Sequence, residues 1–275
     1  GGEALLHPNF FRFCEILRKE NIKLSLLSTG LSLKKNATQL AEWVTDIIVS
    51  LDGNETLHDE VRNIPRAFNK LKDGVQSVKN INPGFRITGR TVIHKKNFRQ
   101  WPSIINAAIE IGLNQISFLP ADVSSHAFNR EVLWNDSKQH EILPDKEELD
   151  ELKVVIEKLF IDFKEKFASG FIAESPEKIQ KIYSYYAAFY GLNSFPYKKC
   201  NAPWTSTVIE ADGTVRPCFF HSKMGNIHDT PLDEILNSKQ AIHFRKNLSI
   251  DTNSICMKCV CYLNLPPQTN PVKEN

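Results

Sequence analysis

Five of the six cysteines in this 275-residue sequence fall after position 199, as Cys200, Cys218, Cys256, Cys259 and Cys261. Thiolates at such density are ligands for soft metal centres, zinc or an iron–sulfur cluster. Cys256 and Cys259 form a C-x-x-C knuckle, which presents two sulfurs from one tight turn to one centre. Cys200 and Cys218 are separated by 17 residues and bracket a segment that turns at Asp212-Gly213. A structural zinc site usually joins two C-x-x-C knuckles. The long first spacing and the surplus Cys261 therefore favour an iron–sulfur cluster on Cys200, Cys218, Cys256 and Cys259, with Cys261 as an alternative ligand. Six cysteines are too few for a disulfide-dense scaffold of this length. Cys14 stands apart on the apolar face of a helical pattern and reads as a packed core thiol.

The elements that must position these residues follow from periodicity. Residues 205–210 and 214–218 read as two strands around the Asp-Gly turn, a hairpin that brings Cys200 and Cys218 together. A helix over 231–247 leads into the C-x-x-C knuckle. Further upstream, helix and strand patterns alternate. A helix over 9–20 precedes a strand over 22–28 that stops at Thr29-Gly30, and a helix over 36–44 precedes the apolar strand 47–51, which stops at Asp52-Gly53. Pro65 opens a helix with Phe68, Leu71, Val75 and Val78 on one face, closed by Asn82-Pro83-Gly84. Strand 85–93, helix 102–111 and strand 115–119 follow. Strands separated by helix-length segments predict a parallel sheet with helices outside, open or curled towards a barrel. Ligands in such folds bind at the C-terminal strand ends. Those ends are Ser28-Thr29-Gly30, Ser50-Leu51-Asp52-Gly53, Arg90 to Asn97, and Pro120-Ala121-Asp122. A polar loop with His126, Arg130 and Trp134 comes next, then helical patterns at 145–168 and 175–190. The Pro266-Pro267 tail is expected to fray.

Composition narrows the partners. A net charge of +2 gives no reason to expect nucleic acid or a charged membrane surface. No apolar run approaches the roughly 18 residues of a membrane span, and no signal peptide opens the chain, so a cytoplasmic location is expected. The sequence begins Gly1-Gly2-Glu3 rather than with methionine, and more sequence is expected upstream.

With these residues in place, the chain resembles a radical S-adenosylmethionine (radical SAM) enzyme with a C-terminal auxiliary-cluster domain of the SPASM or shorter twitch type. Cys200, twelve residues, Gly213, four residues and Cys218, then the later C-x-x-C, are similar to the pattern that opens that domain. Only Cys261 follows, which favours one auxiliary cluster, the twitch arrangement. Gly1-Gly2-Glu3 resembles the family's GGE segment, and Leu27-Ser28-Thr29-Gly30 and Ser50-Leu51-Asp52-Gly53, continued by His58-Asp59 and Arg62, follow in the family's order. The resemblance implies that Gly1, Gly2 and Glu3 hold the amino group of SAM. It places Ser28 and Thr29 at the next strand end, Ser50 and Asp52 at the ribose or carboxylate, Arg62 at the carboxylate and Leu119 beside the adenine. Arg90 and Asn97 are weaker carry-overs.

The fold it implies is α/β. Residues 1–199 would form a partial parallel (β/α) barrel lacking its first strands, with a helical extension, and 200–275 a small cysteine-rich α+β auxiliary-cluster domain with a β-hairpin. One departure matters. The C-x-x-x-C-x-x-C loop that holds the catalytic four-iron, four-sulfur cluster does not occur in this sequence. The expected function is thus that of the C-terminal portion of a radical SAM enzyme, inactive by itself. The complete enzyme would use SAM and a second 4Fe-4S cluster to generate a 5′-deoxyadenosyl radical that abstracts hydrogen from a peptide or small-molecule substrate. An external electron donor would serve it, and the auxiliary cluster, 4Fe-4S, would transfer electrons. The alternative is a non-catalytic iron–sulfur or zinc protein that uses the partial barrel as an interaction surface.

Overall fold

The structure, a computed structural model, describes residues 2–125, Ala127, Arg130 and 132–266. Gly1 and His126 lie outside the described residues. The chain divides into two compact units, one of residues 2–121 with 140–194 and the other built chiefly of 122–139 with 195–275.

The first unit is an α/β sheet. Helix α1 (Phe10–Lys19), strand β1 (Ser25–Ser28), α2 (Ala37–Trp43), β2 (Asp46–Ser50), α3 (Glu55–Arg62), α4 (Ala67–Ile81), β3 (Arg86–Ile93), α5 (Trp101–Glu110) and β4 (Gln115–Pro120) follow in order. The strands pair in the order β1-β2-β3-β4, every pair parallel. Each return to a parallel neighbour needs a crossover, and a helix supplies it. Ile47 and Val49 on β2 are fully buried, as are Ile87, Thr91 and Ile93 on β3. That matches a sheet covered by its helices. The α4 face predicted from periodicity is the buried one, with Phe68 at 3% exposure and Leu71, Val75 and Val78 at zero. At about 1.5–3 kcal/mol for each buried side chain, that stripe fastens the helix to the sheet.

The sequence reading assigns no element between the turn at Asp52-Gly53 and the helix opened by Pro65. The structure inserts α3 first, capped by the Asn54 side chain on the Leu57 amide and ended by Asn63 in left-handed conformation. Gly30 closes β1 with φ +86°, and a Cβ there would lie 2.4 Å from the Leu71 Cδ1 atom, so the β1 end tolerates only glycine. After β4 come α6 (Asp136–His140), α7 (Glu148–Asp162), α8 (Lys164–Ala168) and α9 (Pro176–Phe189). The single pattern read over 145–168 breaks at Phe163. Residues 171–173 add a short parallel bridge to the outer edge of β4, through the Ile116 amide to Phe171 oxygen and the Ala173 amide to Ile116 oxygen.

The second unit is small and irregular. It holds α10 (Ala202–Thr205), β5 (Val208–Ile209), β6 (Thr214–Arg216), β7 (Gly225–Asn226), α11 (Leu232–Leu236), α12 (Lys239–Asn247) and α13 (Ser254–Met257). The expected hairpin is present as β5 and β6, and β7 extends it to three antiparallel strands. The helix read over 231–247 breaks at Asn237, and Ser238 caps α12.

Candidate functional site

Two constellations emerge, one in each unit. The first lies at the C-terminal ends of β1, β2 and β3. Glu3 accepts three hydrogen bonds in one place: from the Ser28 hydroxyl at 2.9 Å, the Thr29 amide at 2.8 Å and the Thr29 hydroxyl at 2.7 Å. Ser28 in turn accepts from the Gly30 amide. The Gly2-Glu3 segment is thus pinned to the end of β1, with Gly2 in the left-handed region at φ +98°.

At the next strand end, Asp52 is 5% exposed and accepts from Arg62 Nε at 2.5 Å. Its own amide donates to Nδ1 of His58, a fully buried imidazole lying against Phe68. Burial holds the His58 pKa below its usual value despite the neighbouring Asp52 charge. Asn97, also fully buried, donates to the Asp52 and Val92 carbonyls, and Thr91 donates to the Leu51 carbonyl. Ser50 ends β2 half-buried, in register with Arg90, which donates to Ser117. Leu119 sits half-buried near the end of β4. Every described residue expected at SAM therefore lies at or beside a C-terminal strand end, and the guanidinium expected at its carboxylate is bound through Nε to Asp52. Sequence reasoning missed the carboxyl of Glu174, which accepts from the Phe118 amide and which burial pushes upward in pKa. It also missed Tyr186, which accepts from the Ala121 amide and donates to the Ile93 carbonyl. Both come from beyond β4, where nothing in the local pattern ties them to the sheet.

The second constellation is the cysteine site. Cys200, Cys218, Cys256, Cys259 and Cys261 all line one cavity, with about 410 Å³ of empty space counted out to its open mouth. Three local devices gather them. Gly213 takes φ +82° at the hairpin turn, where a Cβ would meet the Asn226 side chain at 2.6 Å. Asn226 holds the turn by donating to the Asp212 carbonyl. The Asn201 side chain clasps Leu265 from both sides, and its backbone amide donates to the Leu263 carbonyl, which ties residues 263–265 beside Cys200. Asn253 caps α13, accepting from the Ile255 and Cys256 amides, and sets the C-x-x-C knuckle.

Burial dominates the thiols' chemistry. It raises Cys218, and with the nearby cysteines it lifts Cys256 to about 11 and Cys259 to about 12. Protonated thiols facing one another are poor company for a cavity unless a cation takes their protons' place. Lys198 donates to the Met257 carbonyl at 2.7 Å and the Cys256 carbonyl at 3.5 Å, and His221 Nε2 lies 3.3 Å from Cys256 Sγ. Among the described residues, no three His, Cys, Asp or Glu side chains gather closely enough to hold one metal ion. The sulfurs instead surround a space, and their softness and number fit an iron–sulfur cluster. Cys14, 3% exposed on α1, is the core thiol expected. Arg130 and Trp134 stack on each other, with Arg130 also bound to Asp122.

Comparison with known proteins agrees with this geometry. Residues 200–260 match the family model of SPASM, an iron-sulfur cluster-binding domain. The chain is 22% identical over 270 residues to the antilisterial bacteriocin subtilosin biosynthesis protein AlbA of Bacillus subtilis (strain 168), covering 95% of this chain and 53% of AlbA. It is 27% identical over 115 residues to the AdoMet-dependent heme synthase of Methanosarcina barkeri (strain Fusaro / DSM 804), covering 41% of this chain and 32% of that protein. The chain thus spans about half or less of the length of the curated relatives it matches. In structure it superposes on anSMEcpe with bound AdoMet at a TM-score of 0.62 and 19% identity, covering 95% of this chain and 73% of that one. It superposes on Streptococcus suis SuiB bound to precursor peptide SuiA at 0.60 and 15%, covering 94% and 57%. No helix among the described residues is long and apolar enough to cross a membrane. Residues 200–260 thus match an iron–sulfur cluster-binding domain of the SPASM type, and over nearly its whole length the chain is similar in sequence to AlbA and in fold to anSMEcpe.

Proposed function

We propose that this chain is the SAM-positioning and auxiliary-cluster portion of a radical SAM enzyme that modifies a peptide. The cavity lined by five cysteines, four of them within the SPASM match, carries the reading. Cys200, Cys218, Cys256 and Cys259 hold one four-iron cluster, which supplies electron transfer with the substrate, and Cys261 stands in reserve. Residues 1–199 act as the partial barrel and 200–275 as the cluster domain. At the strand ends Glu3 accepts the ammonium of SAM. It is held for this by Ser28 and Thr29, whose donors keep the carboxylate aimed. Gly1 and Gly2 shape that segment. Asp52 orients Arg62 for the carboxylate of SAM, Ser50 faces the ribose and Leu119 flanks the adenine.

The catalytic cluster and its three-cysteine loop belong to sequence other than these 275 residues, and an external donor supplies the electron for SAM cleavage. A peptide substrate is favoured over a small metabolite because AlbA is a bacteriocin biosynthesis protein and SuiB is seen with a precursor peptide. The test is anaerobic purification followed by measurement of iron, sulfide and zinc. About four irons and four sulfides per chain are expected. Stoichiometric zinc without sulfide overturns the reading.

A further inference from the structure

We propose that His221 donates a hydrogen bond from Nε2 to the sulfur of Cys256 and thereby sets the reduction potential of the cluster held in the cysteine cavity. The inference rests on the cluster reading above and adds a residue to it.

The placement of His221 is specific. Its backbone follows Cys218 by three residues, and its carbonyl accepts from the Arg216 guanidinium at 3.1 Å, which ties the turn after β6 back to the strand. The ring is 5% exposed and packs edge-on against Phe244 of α12, with centroids 4.9 Å apart. A ring so confined keeps one edge towards the cavity, and that edge carries Nε2, 3.3 Å from Cys256 Sγ. Lys198, the other nitrogen-bearing side chain in the wall, is spent on backbone carbonyls. His221 is therefore the side chain aimed at a ligand sulfur.

Hydrogen bonds to cluster sulfurs and the solvent exposure of the site set the potential of an iron–sulfur centre. An N–H donor stabilises negative charge on sulfur, and the reduced cluster carries one more electron than the oxidised one. Donation therefore favours the reduced state and raises the potential. Because the donor is buried, water cannot replace it when it is removed.

The test uses the full chain, with the cluster reconstituted anaerobically, as wild type, H221L and H221Q. Iron and sulfide are measured first, then the midpoint potential by EPR-monitored titration. H221L should keep about four irons per chain and lower the midpoint by at least 59 mV, a tenfold change in a one-electron equilibrium. H221Q retains an N–H donor and should recover at least half of that shift. In wild-type protein carrying histidine labelled with nitrogen-15 in the ring, pulsed EPR should reveal an imidazole nitrogen coupled to the reduced cluster, distinct from the backbone amides that donate to Cys218 and Cys259, a readout that does not require either variant to fold. An unchanged midpoint in an intact H221L cluster, or no coupled imidazole nitrogen, overturns the inference. Loss of iron in both variants also overturns it, since His221 would then be a ligand. A wild-type chain that takes up no iron or sulfide fails at the earlier step and points to the cluster reading itself.

Discussion

The two units treat their polar groups in opposite ways. At the strand ends of the sheet, most charged and polar side chains are already answered by the protein, Glu3 by Ser28 and Thr29, Asp52 by Arg62 and Asn97 by two carbonyls, while the buried Nε2 of His58 has no partner among the described residues. In the cysteine cavity the thiols share one apolar space and burial raises their pKa, with Cys256 to about 11 and Cys259 to about 12. The hydrophobic support differs too. The sheet unit packs Leu40, Ile47, Leu71, Ile87, Trp101 and many others at zero exposure. From residue 195 onward, the buried apolar side chains among the described residues are Ala202, Pro203, Val215, Pro217, Phe220, Ile235 and Ala241. One unit is organised before its ligand arrives, and the other is a small scaffold that needs its ligand to complete a core.

The sharpest way to break this contrast is to remove the ligand set. C259A combined with C261S should lower iron from about four per chain towards zero and expose 200–261 to protease, while 25–120 stays protected. Limited proteolysis read by mass spectrometry distinguishes the two halves. Equal loss of protection in both would erase the distinction.

Next in size is the Asp52–Arg62 pair. Asp52 is almost fully buried, whereas the Arg62 side chain is 28% exposed. D52A leaves the guanidinium and the His58 ring without their carboxylate and should cost about 2–3 kcal/mol in urea unfolding, at or below the low end of the roughly 3–5 kcal/mol for breaking a fully buried pair, because water reaches the arginine. D52A with R62A should recover part of the loss, because the stranded charge carries most of the cost.

How much of this was legible in the sequence follows the same division. The sheet strands, the α4 stripe and the glycine turns were readable because apolar periodicity and turn residues are local signals. The cysteine ligands were readable because thiols are rare and their spacing is informative. Helix α3 was missed because its pattern, with Leu57 and Val61 as its aliphatic positions among polar residues, gives little periodicity in eight residues. Strand β7, Asn201, His221 and Glu174 were missed for another reason. Their roles depend on contacts with chain distant in sequence, such as Asn201 with Leu265 and Glu174 with Phe118, and no spacing rule reports them.

A smaller effect concerns pH. His58 is buried with its pKa held below the unfolded value of about 6.5, and His94 is shifted the same way by burial. The unfolded chain then binds more protons in that range. The stability these neutral rings confer is complete above about pH 6.5 and is lost as pH falls towards their folded pKa values. Urea midpoints of the sheet unit should drop between pH 7 and pH 5, and H58Q should flatten the slope even though it lowers the midpoint throughout. A slope unchanged in H58Q would assign the pH dependence elsewhere.

The least effect should come from Cys261. It is exposed, follows the end of the SPASM match at residue 260, and is held near the cavity by the Asn201 clasp on Leu263 and Leu265 rather than by packing of its own. If Cys200, Cys218, Cys256 and Cys259 saturate the cluster, C261S keeps about four irons per chain and the wild-type spectrum. The combination C261S with C256S then separates ligand from reserve. C256S by itself should retain part of its iron through Cys261, and the double variant should retain none. Iron loss in C261S as complete as in the C259A and C261S combination would instead make Cys261 a full ligand, and this exposed cysteine would become part of the centre that completes the small unit.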